Sequence, residues 1–159
     1  MRVEYINPFV ESAYNVLKEV LATEVERGEL YLKSTSMPVL GVAAVVGLAG
    51  DVEGRVLFDM TKDTAIKVAS AMLQGMDMEP IDSLNDMGKA TITELANMIT
   101  GQAVTKLHDL GFEFDLTPPA IFTGDNMEVT DAGVEALIVP MKVPQGNIEI
   151  NVAIRERNG

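Results

Sequence analysis

The sequence has no cysteine and a single histidine. Without cysteine the chain has no thiol nucleophile, no thiolate metal ligand and no disulfide. One histidine, His108, cannot form a histidine cluster around a metal ion, and we interpret it as a surface residue. No metal or cofactor site is therefore expected in this chain.

Basic residues are also scarce. Twelve lysines and arginines stand against twenty-four acidic residues, which gives a formal net charge of −12. Such a chain repels a phosphate backbone and an anionic bilayer, so neither nucleic acid nor a membrane is an expected partner. We interpret the acidity as a source of solubility.

Long apolar runs are missing as well. No run reaches the roughly 18–20 residues that span a bilayer, and the start Met1-Arg2-Val3-Glu4 lacks the pattern of a secretory signal. The cytoplasm is the expected compartment. The 159 residues, 47% of them hydrophobic, suit one globular domain over 1–159. The ten methionines are interpreted as core-filling residues.

Hydrophobic periodicity predicts an α+β fold. The first helix is expected to open at Asn7-Pro8 and to end near Ala22, before a short edge strand over Glu29–Lys33. Two hairpins follow from β-branched runs around turn residues, with strands over Val39–Leu48 and Arg55–Met60, and over Val134–Val143 and Asn147–Arg155. These helix–hairpin units should form an antiparallel or mixed sheet packed against long helices.

Two further helices are predicted between the hairpins. The first is expected to be capped by Thr61 and to end at Gly75 in a left-handed conformation. The second covers Met87–Leu110, with a capped start at Ser83 and a stop at Gly111. The order of helix and hairpin thus occurs twice along the chain.

The long helix has an apolar face and a polar face. At about 100° per residue, its apolar stripe consists of Ile92, Leu95, Ala96, Ile99, Ala103, Leu107 and Leu110. Glu94 and Asn97 are neighbours on the opposite face, with Ala90 one turn before and Gly101 one turn after. An ordinary solvent-exposed helix face is one sufficient explanation for Glu94 and Asn97. Glycine inside a helix costs about 1 kcal/mol relative to alanine, however, and this favours a docking face.

A weak internal repeat accompanies the duplicated order. Aligning Glu11-Ser12-Ala13-Tyr14 with Glu94-Leu95-Ala96-Asn97 matches the glutamate and the alanine but puts tyrosine in place of asparagine. If the duplication is real, only the second copy keeps the carboxylate–carboxamide pair.

Four stretches are distinctive in combination: Glu94-Leu95-Ala96-Asn97-Met98, Leu110-Gly111, Thr117-Pro118-Pro119 and Ala65–Met72. With these stretches the chain resembles, over nearly its whole length, the CheC/CheX/FliY family of chemotaxis phosphatases, and the CheX branch most closely. The family motif has Asp or Ser four residues before its glutamate, and this chain has Ala90 there, beside Thr91.

The resemblance implies that the protein removes the phosphoryl group from the aspartyl phosphate of CheY, a response regulator. Glu94 and Asn97 would be the catalytic residues. Asn97 would orient the attacking water, and Glu94 would dock the partner by pairing with a lysine. Mg²⁺ and the acceptor aspartate would belong to the partner, and Ala90 and Gly101 would leave room for it. A homodimer that pairs its sheets is implied as well.

Two alternatives remain open. A non-catalytic binding or adaptor module would capture the phosphorylated regulator without hydrolysing it, and the departure at Ala90 favours this reading. A small-molecule enzyme has little support, because the sequence shows no paired carboxylates with a histidine or with metal-ligand spacing.

Overall fold

The computed structural model describes residues 3–33, 37–38, 40–125, 128–129 and 135–156. Three helices lie in this part of the chain, α1 Val3–Val20, α2 Lys62–Gly75 and α3 Asp86–Asp109. Its ten strands are β1 Glu26–Arg27, β2 Tyr31–Lys33, β3 Met37–Pro38, β4 Val42–Gly50, β5 Val52–Met60, β6 Phe114–Leu116, β7 Ala120–Thr123, β8 Glu128–Val129, β9 Ala136–Val143 and β10 Gly146–Glu156.

The two predicted hairpins form the centre of the main sheet. Strand β4 pairs with β5, strand β9 pairs with β10, and β5 and β10 join the hairpins side by side from Ile148 opposite Met60 to Glu156 opposite Val52. The strand order is β1-β9-β10-β5-β4-β6, with β2 also on β9 and β7 also on β4. All of these pairings are antiparallel, which confirms the α+β prediction. Val39 and Val134, the first residues of two predicted strands, lie outside the described residues.

The three helices share one hydrophobic core with one face of this sheet. Alternate residues of the central strands point into it, as Val56 and Phe58 do from β5 and Ile150 and Val152 from β10. Helix α3 packs against α1, α2 and β4, so it lies in the middle of the helical layer. No helix among the described residues is long and apolar enough to cross a membrane.

The apolar stripe predicted for α3 is confirmed except at its end. The stripe residues that pack into the core, none more than 2% exposed, are Ile92, Leu95, Ala96, Ile99, Ala103 and Leu107. Leu110 was expected to continue the stripe, but it is 57% exposed. It is the C-cap residue of α3, so the chain is already leaving the helix there.

The ends of α3 are set by Asn85 and Gly111. The side chain of Asn85 accepts a hydrogen bond from the backbone N–H of Gly88 at 2.9 Å, so the N-cap is Asn85 and not the predicted Ser83. Gly111 has a φ of 95°, and its N–H donates to the carbonyl of His108 at 2.9 Å. The N–H of Phe112 donates to the carbonyl of Leu107 at 3.1 Å, which completes a Schellman motif and confirms the predicted stop.

The other two helices differ from the prediction at one end each. Helix α1 begins at Val3, and Pro8 lies inside it, because burial of Tyr5 and Ile6 extends the helix toward the N-terminus. Pro8 is the sixth residue of α1, so its missing N–H removes one hydrogen bond, the bond to the carbonyl of Glu4. Helix α2 is capped by Thr61 as predicted, but the left-handed residue that follows it is Asp77 and not Gly75.

The sheet face opposite the helices carries a buried carboxylate, Asp59. Its side chain is 2% exposed and accepts a hydrogen bond from the N–H of Leu40 at 2.9 Å. Glu149 stands directly opposite on β10 and accepts a hydrogen bond from the Tyr31 hydroxyl at 2.7 Å. Burial raises the pKa of Asp59 to about 6, and the nearby charge of Glu149 adds to the effect.

We predict that Asp59→Asn stabilises the protein at neutral pH. The folded state binds the Asp59 proton more tightly than the unfolded chain does, because its pKa is raised from 3.8 to about 6. The ionised carboxylate therefore costs stability as the pH rises through this window, and the cost is fully present above it. The free energy of unfolding should favour the variant by about 1–3 kcal/mol at pH 7.5.

Urea unfolding of both proteins between pH 3.5 and 8 measures this difference. Asparagine keeps the acceptor for the Leu40 N–H, so the advantage should shrink toward zero at the acid end of the series. A variant that is less stable than the wild type at pH 7.5 would contradict the prediction.

Candidate active site

The outward face of α3 presents a carboxylate and a carboxamide one turn apart. Burial of the apolar stripe fixes the rotation of the helix about its axis, so Glu94 and Asn97 face solvent, and both are exposed. Ala90 and Gly101 are exposed on the same line, one turn before and one turn after. The structure thus brings together all four residues that the sequence singles out.

Neither polar side chain of the pair is used by the protein itself. Among the described residues, Glu94 and Asn97 have no side-chain hydrogen-bond or ion-pair partner. Asn97 can donate through its NH₂ group and accept through its carbonyl oxygen, and Glu94 can accept at both oxygens. The pair is free to bind groups from another molecule.

The threonines around the pair are already hydrogen-bonded. The hydroxyls of Thr91, Thr93 and Thr100 donate to carbonyls one turn earlier, at 2.7, 2.8 and 2.8 Å respectively. Thr91 is also buried, with 6% of its surface exposed. It therefore does not replace the acidic or hydroxyl side chain that the family motif has at the position of Ala90.

Gly101 is not required by the packing of the protein. A Cβ atom built on it would meet nothing within 4 Å among the described residues, whereas one on Gly88 would lie 2.7 Å from Cδ1 of Ile81. Gly88 therefore lies under the end of the Ile81 side chain, where the connector before α3 crosses the helix. Gly101 leaves a gap on the surface beside Asn97.

The corresponding residues of the first helix are already engaged. Glu11 accepts a hydrogen bond from Lys106 Nζ at 3.2 Å. Tyr14 is half-buried, and Lys18 Nζ lies 5.9 Å from the centroid of its ring. The free carboxylate–carboxamide pair therefore occurs on α3 and not at the aligned positions of α1.

His108 lies at the far end of α3, with its ring 5.4 Å from that of Phe114. It is exposed, as the sequence predicts, and about 16 Å along the helix from Asn97. Within the described ranges no three acidic or histidine side chains are grouped so that they could hold a metal ion.

Sequence reasoning missed an apolar groove that begins beside Glu94. It has a volume of about 690 Å³ and lies where the ends of α1 and α2 meet the first half of α3. Its wall contains the five methionines Met72, Met76, Met78, Met87 and Met98, and we call it the methionine groove. Met76, Met78 and Met87 are 58%, 44% and 47% exposed, so these three methionines do not fill the core, whereas Met60, Met72 and Met141 are buried.

A model of the family described as chemotaxis phosphatase CheX matches residues 42–142, which include the whole of α3. The chain is also 32% identical over 143 residues to the CheY-P phosphatase CheX of Thermotoga maritima, covering 90% of each protein. The family model and this relative place the chain in a class of signalling phosphatases. It belongs to the CheX family of chemotaxis phosphatases.

Solved structures agree with this assignment. The chain is 46% identical to a chain in the CheX-CheY-BeF3-Mg²⁺ complex from Borrelia burgdorferi, with a TM-score of 0.82 and coverage of 98% of this chain and 100% of that one. A CheC-like superfamily protein from Shewanella sp. PV-4 is 27% identical, with a TM-score of 0.85 and coverage of 98% and 99%.

We predict that Gly101→Ala stabilises the protein and that Gly54→Ala, a contrasting control on β5, destabilises it. Alanine at 101 lowers the backbone entropy of the unfolded chain and meets open space in the folded state. Its free energy of unfolding should rise by about 0.5–1 kcal/mol. Gly54 has a φ of 139°, and a Cβ atom on it would overlap the backbone carbonyl oxygen of Ala153, so alanine there forces the paired strand to move. Denaturant unfolding measures both, and a loss of stability in Gly101→Ala would show that this glycine has a structural role.

Proposed function

We propose that this protein hydrolyses the aspartyl phosphate of a CheY-like response regulator, with Asn97 orienting the attacking water and Glu94 docking the partner. The observation that carries the proposal is the free, exposed Glu94/Asn97 pair on a rigid helix, in a chain of the CheX family. The relatives support the choice of substrate, since one is described as a CheY-P phosphatase and another was solved in complex with CheY.

Asn97 suits the task of aligning water. Phosphoryl transfer needs a nucleophile in line with the leaving oxygen and needs little covalent participation from the protein. A carboxamide can accept a hydrogen bond from the water and donate one to a phosphoryl oxygen, which fixes the direction of attack. Because the Asn97 side chain makes no hydrogen bond among the described residues, its amide group and its carbonyl oxygen are both available for the water and the phosphoryl group.

Glu94 suits a docking role. An exposed carboxylate can form a charge-assisted hydrogen bond with a lysine of the partner and so set the position of α3 over the phosphorylation site. One helical turn separates it from Asn97, so fixing Glu94 also fixes the carboxamide. Ala90 and Gly101 extend no side chain beyond Cβ on either side of the pair and would let the partner approach the helix backbone.

The remaining catalytic groups are assigned to the regulator. Its acceptor aspartate carries the phosphoryl group, and its Mg²⁺ neutralises charge on the phosphoryl oxygens. A bond forms between the water oxygen and phosphorus, and the bond from phosphorus to the aspartate oxygen breaks. The products are inorganic phosphate and the free carboxylate of the regulator.

Asn97→Ala should slow dephosphorylation by about 100-fold and leave binding of the regulator intact. The variant removes the group that orients water but keeps Glu94 and the fold, since Asn97 is exposed. The measurement is loss of phosphoryl label from a phosphorylated CheY-like regulator under single-turnover conditions. Equal rates for the variant and the wild type would refute the role of Asn97.

Glu94→Gln is the paired variant in the same assay. It removes a charge from the docking contact, so the loss should appear mainly as a higher KM. Binding and dephosphorylation measured with the wild type test the adaptor alternative. An adaptor would bind the phosphorylated regulator tightly and would not accelerate loss of its phosphate.

We also propose that two copies of the chain form a homodimer. The described sheet ends at short strands, β1 and β2 on one side and β6 and β7 on the other. The outer side of an edge strand has backbone N–H and C=O groups that can pair with a second chain. Light scattering should give twice the chain mass of 17.2 kDa, and a monomer mass would remove the proposal.

A further inference from the structure

The methionine groove and the Glu94/Asn97 pair are continuous along α3. Met87, Ala90, Glu94 and Met98 are three or four residues apart, so they follow one line on the helix, and all of them line the groove. Met87 lies about 10 Å along the axis from Glu94. Glu94 therefore stands between the groove on one side and Asn97 on the other.

The wall of the groove is held in place by specific hydrogen bonds. The hydroxyl of Ser70 on α2 donates to the carbonyl of Ile81 at 3.0 Å and accepts from its N–H at 3.1 Å. The N–H of Met78 donates to the carbonyl of Leu73 at 2.9 Å. These contacts fix the connector between α2 and α3, so Met76 and Met78 are exposed on an ordered segment.

The polar groups around the groove indicate what kind of surface it fits. The described charged residues that line it, Glu19 and Glu94, are both acidic. Asp77, Glu79 and Asp86 are exposed next to Met76, Met78 and Met87 in the sequence, and Lys18 and Lys89 adjoin Glu19 and Ala90, so five acidic residues stand against two lysines around the groove. Methionine side chains adapt to apolar groups of different shape. The complementary surface is therefore an apolar projection flanked by lysine or arginine.

We propose that the methionine groove is the affinity-determining contact for the phosphorylated response regulator, receiving an apolar side chain of the regulator that is flanked by cationic residues. The proposal rests on the function proposed above, because the same partner must reach Asn97 while it fills the groove. It separates two tasks on one surface. The groove sets how tightly the regulator binds, and Asn97 sets how fast its phosphate is lost.

The test compares Met78→Gln/Met87→Gln with Leu110→Gln. Both methionines are about half exposed, so the double variant should fold, which circular dichroism and the unfolding midpoint check. Leu110 is the matched control, an apolar residue that is 57% exposed at the opposite end of α3. The probe is a purified CheY-like regulator from the same organism, carrying beryllofluoride and Mg²⁺ at its acceptor aspartate.

Calorimetry should show a rise in Kd of about 10–50-fold for the double variant and less than twofold for Leu110→Gln. In the dephosphorylation assay, the loss for the double variant should lie in KM, whereas that for Asn97→Ala lies in kcat. The single variant Met87→Lys should also raise Kd relative to the wild type, because it puts a cation in the region that we assign to the partner's cations.

A double variant with wild-type Kd would overturn the proposal. The proposal would also fail if light scattering gave the double variant a different oligomer mass from the wild type while its Kd stayed the same. The groove would then be covered by a second copy of the chain. Binding and hydrolysis are scored separately. If the wild type binds the regulator without hydrolysing it, the phosphatase proposal falls, and the Kd comparison still decides the role of the groove.

Discussion

The apolar stripe of α3 packs against α1, α2 and β4, and the orientation of every functional side chain on the helix depends on this contact. Each of its large residues gains about 1.5–3 kcal/mol from burial, so rotating the helix by one residue would be costly. The same contact that hides Ile92, Leu95 and Ile99 therefore exposes Glu94 and Asn97. The direction in which the two side chains point is set by packing of α3 into the hydrophobic core and not by hydrogen bonds around them.

This arrangement suits a reaction whose groups come from two proteins. In the proposed mechanism the regulator holds the electrophile and the metal ion, and this chain adds one amide, one carboxylate and a rigid helix. A site of this kind looks ordinary when only one partner is present, since Glu94 and Asn97 are common surface residues. The proposal for this pair rests on the gap at Gly101, on the absence of side-chain partners for the pair among the described residues, and on the family relationship.

Sequence patterns predicted the elements that have a clear hydrophobic periodicity or characteristic turn residues. The stripe of α3, both hairpins and the Gly111 stop belong to this group. Details that depend on tertiary contacts could not be predicted. Ser83 and Asn85 are both capable N-caps, and local spacing does not choose between them. Helix α1 extends past Pro8 because Tyr5 and Ile6 reach the core, and the methionine groove forms only where the ends of α1 and α2 meet the first half of α3.

The ion pair between Glu11 and Lys106 has a consequence for stoichiometry. It ties α1 to α3 at the position that the internal repeat aligns with Glu94, and the aligned partner of Asn97 is a tyrosine that packs beside Lys18. The first helix thus offers no second docking position of the same kind. Each chain would then engage one regulator at a time, and a saturated complex would contain equal numbers of the two proteins.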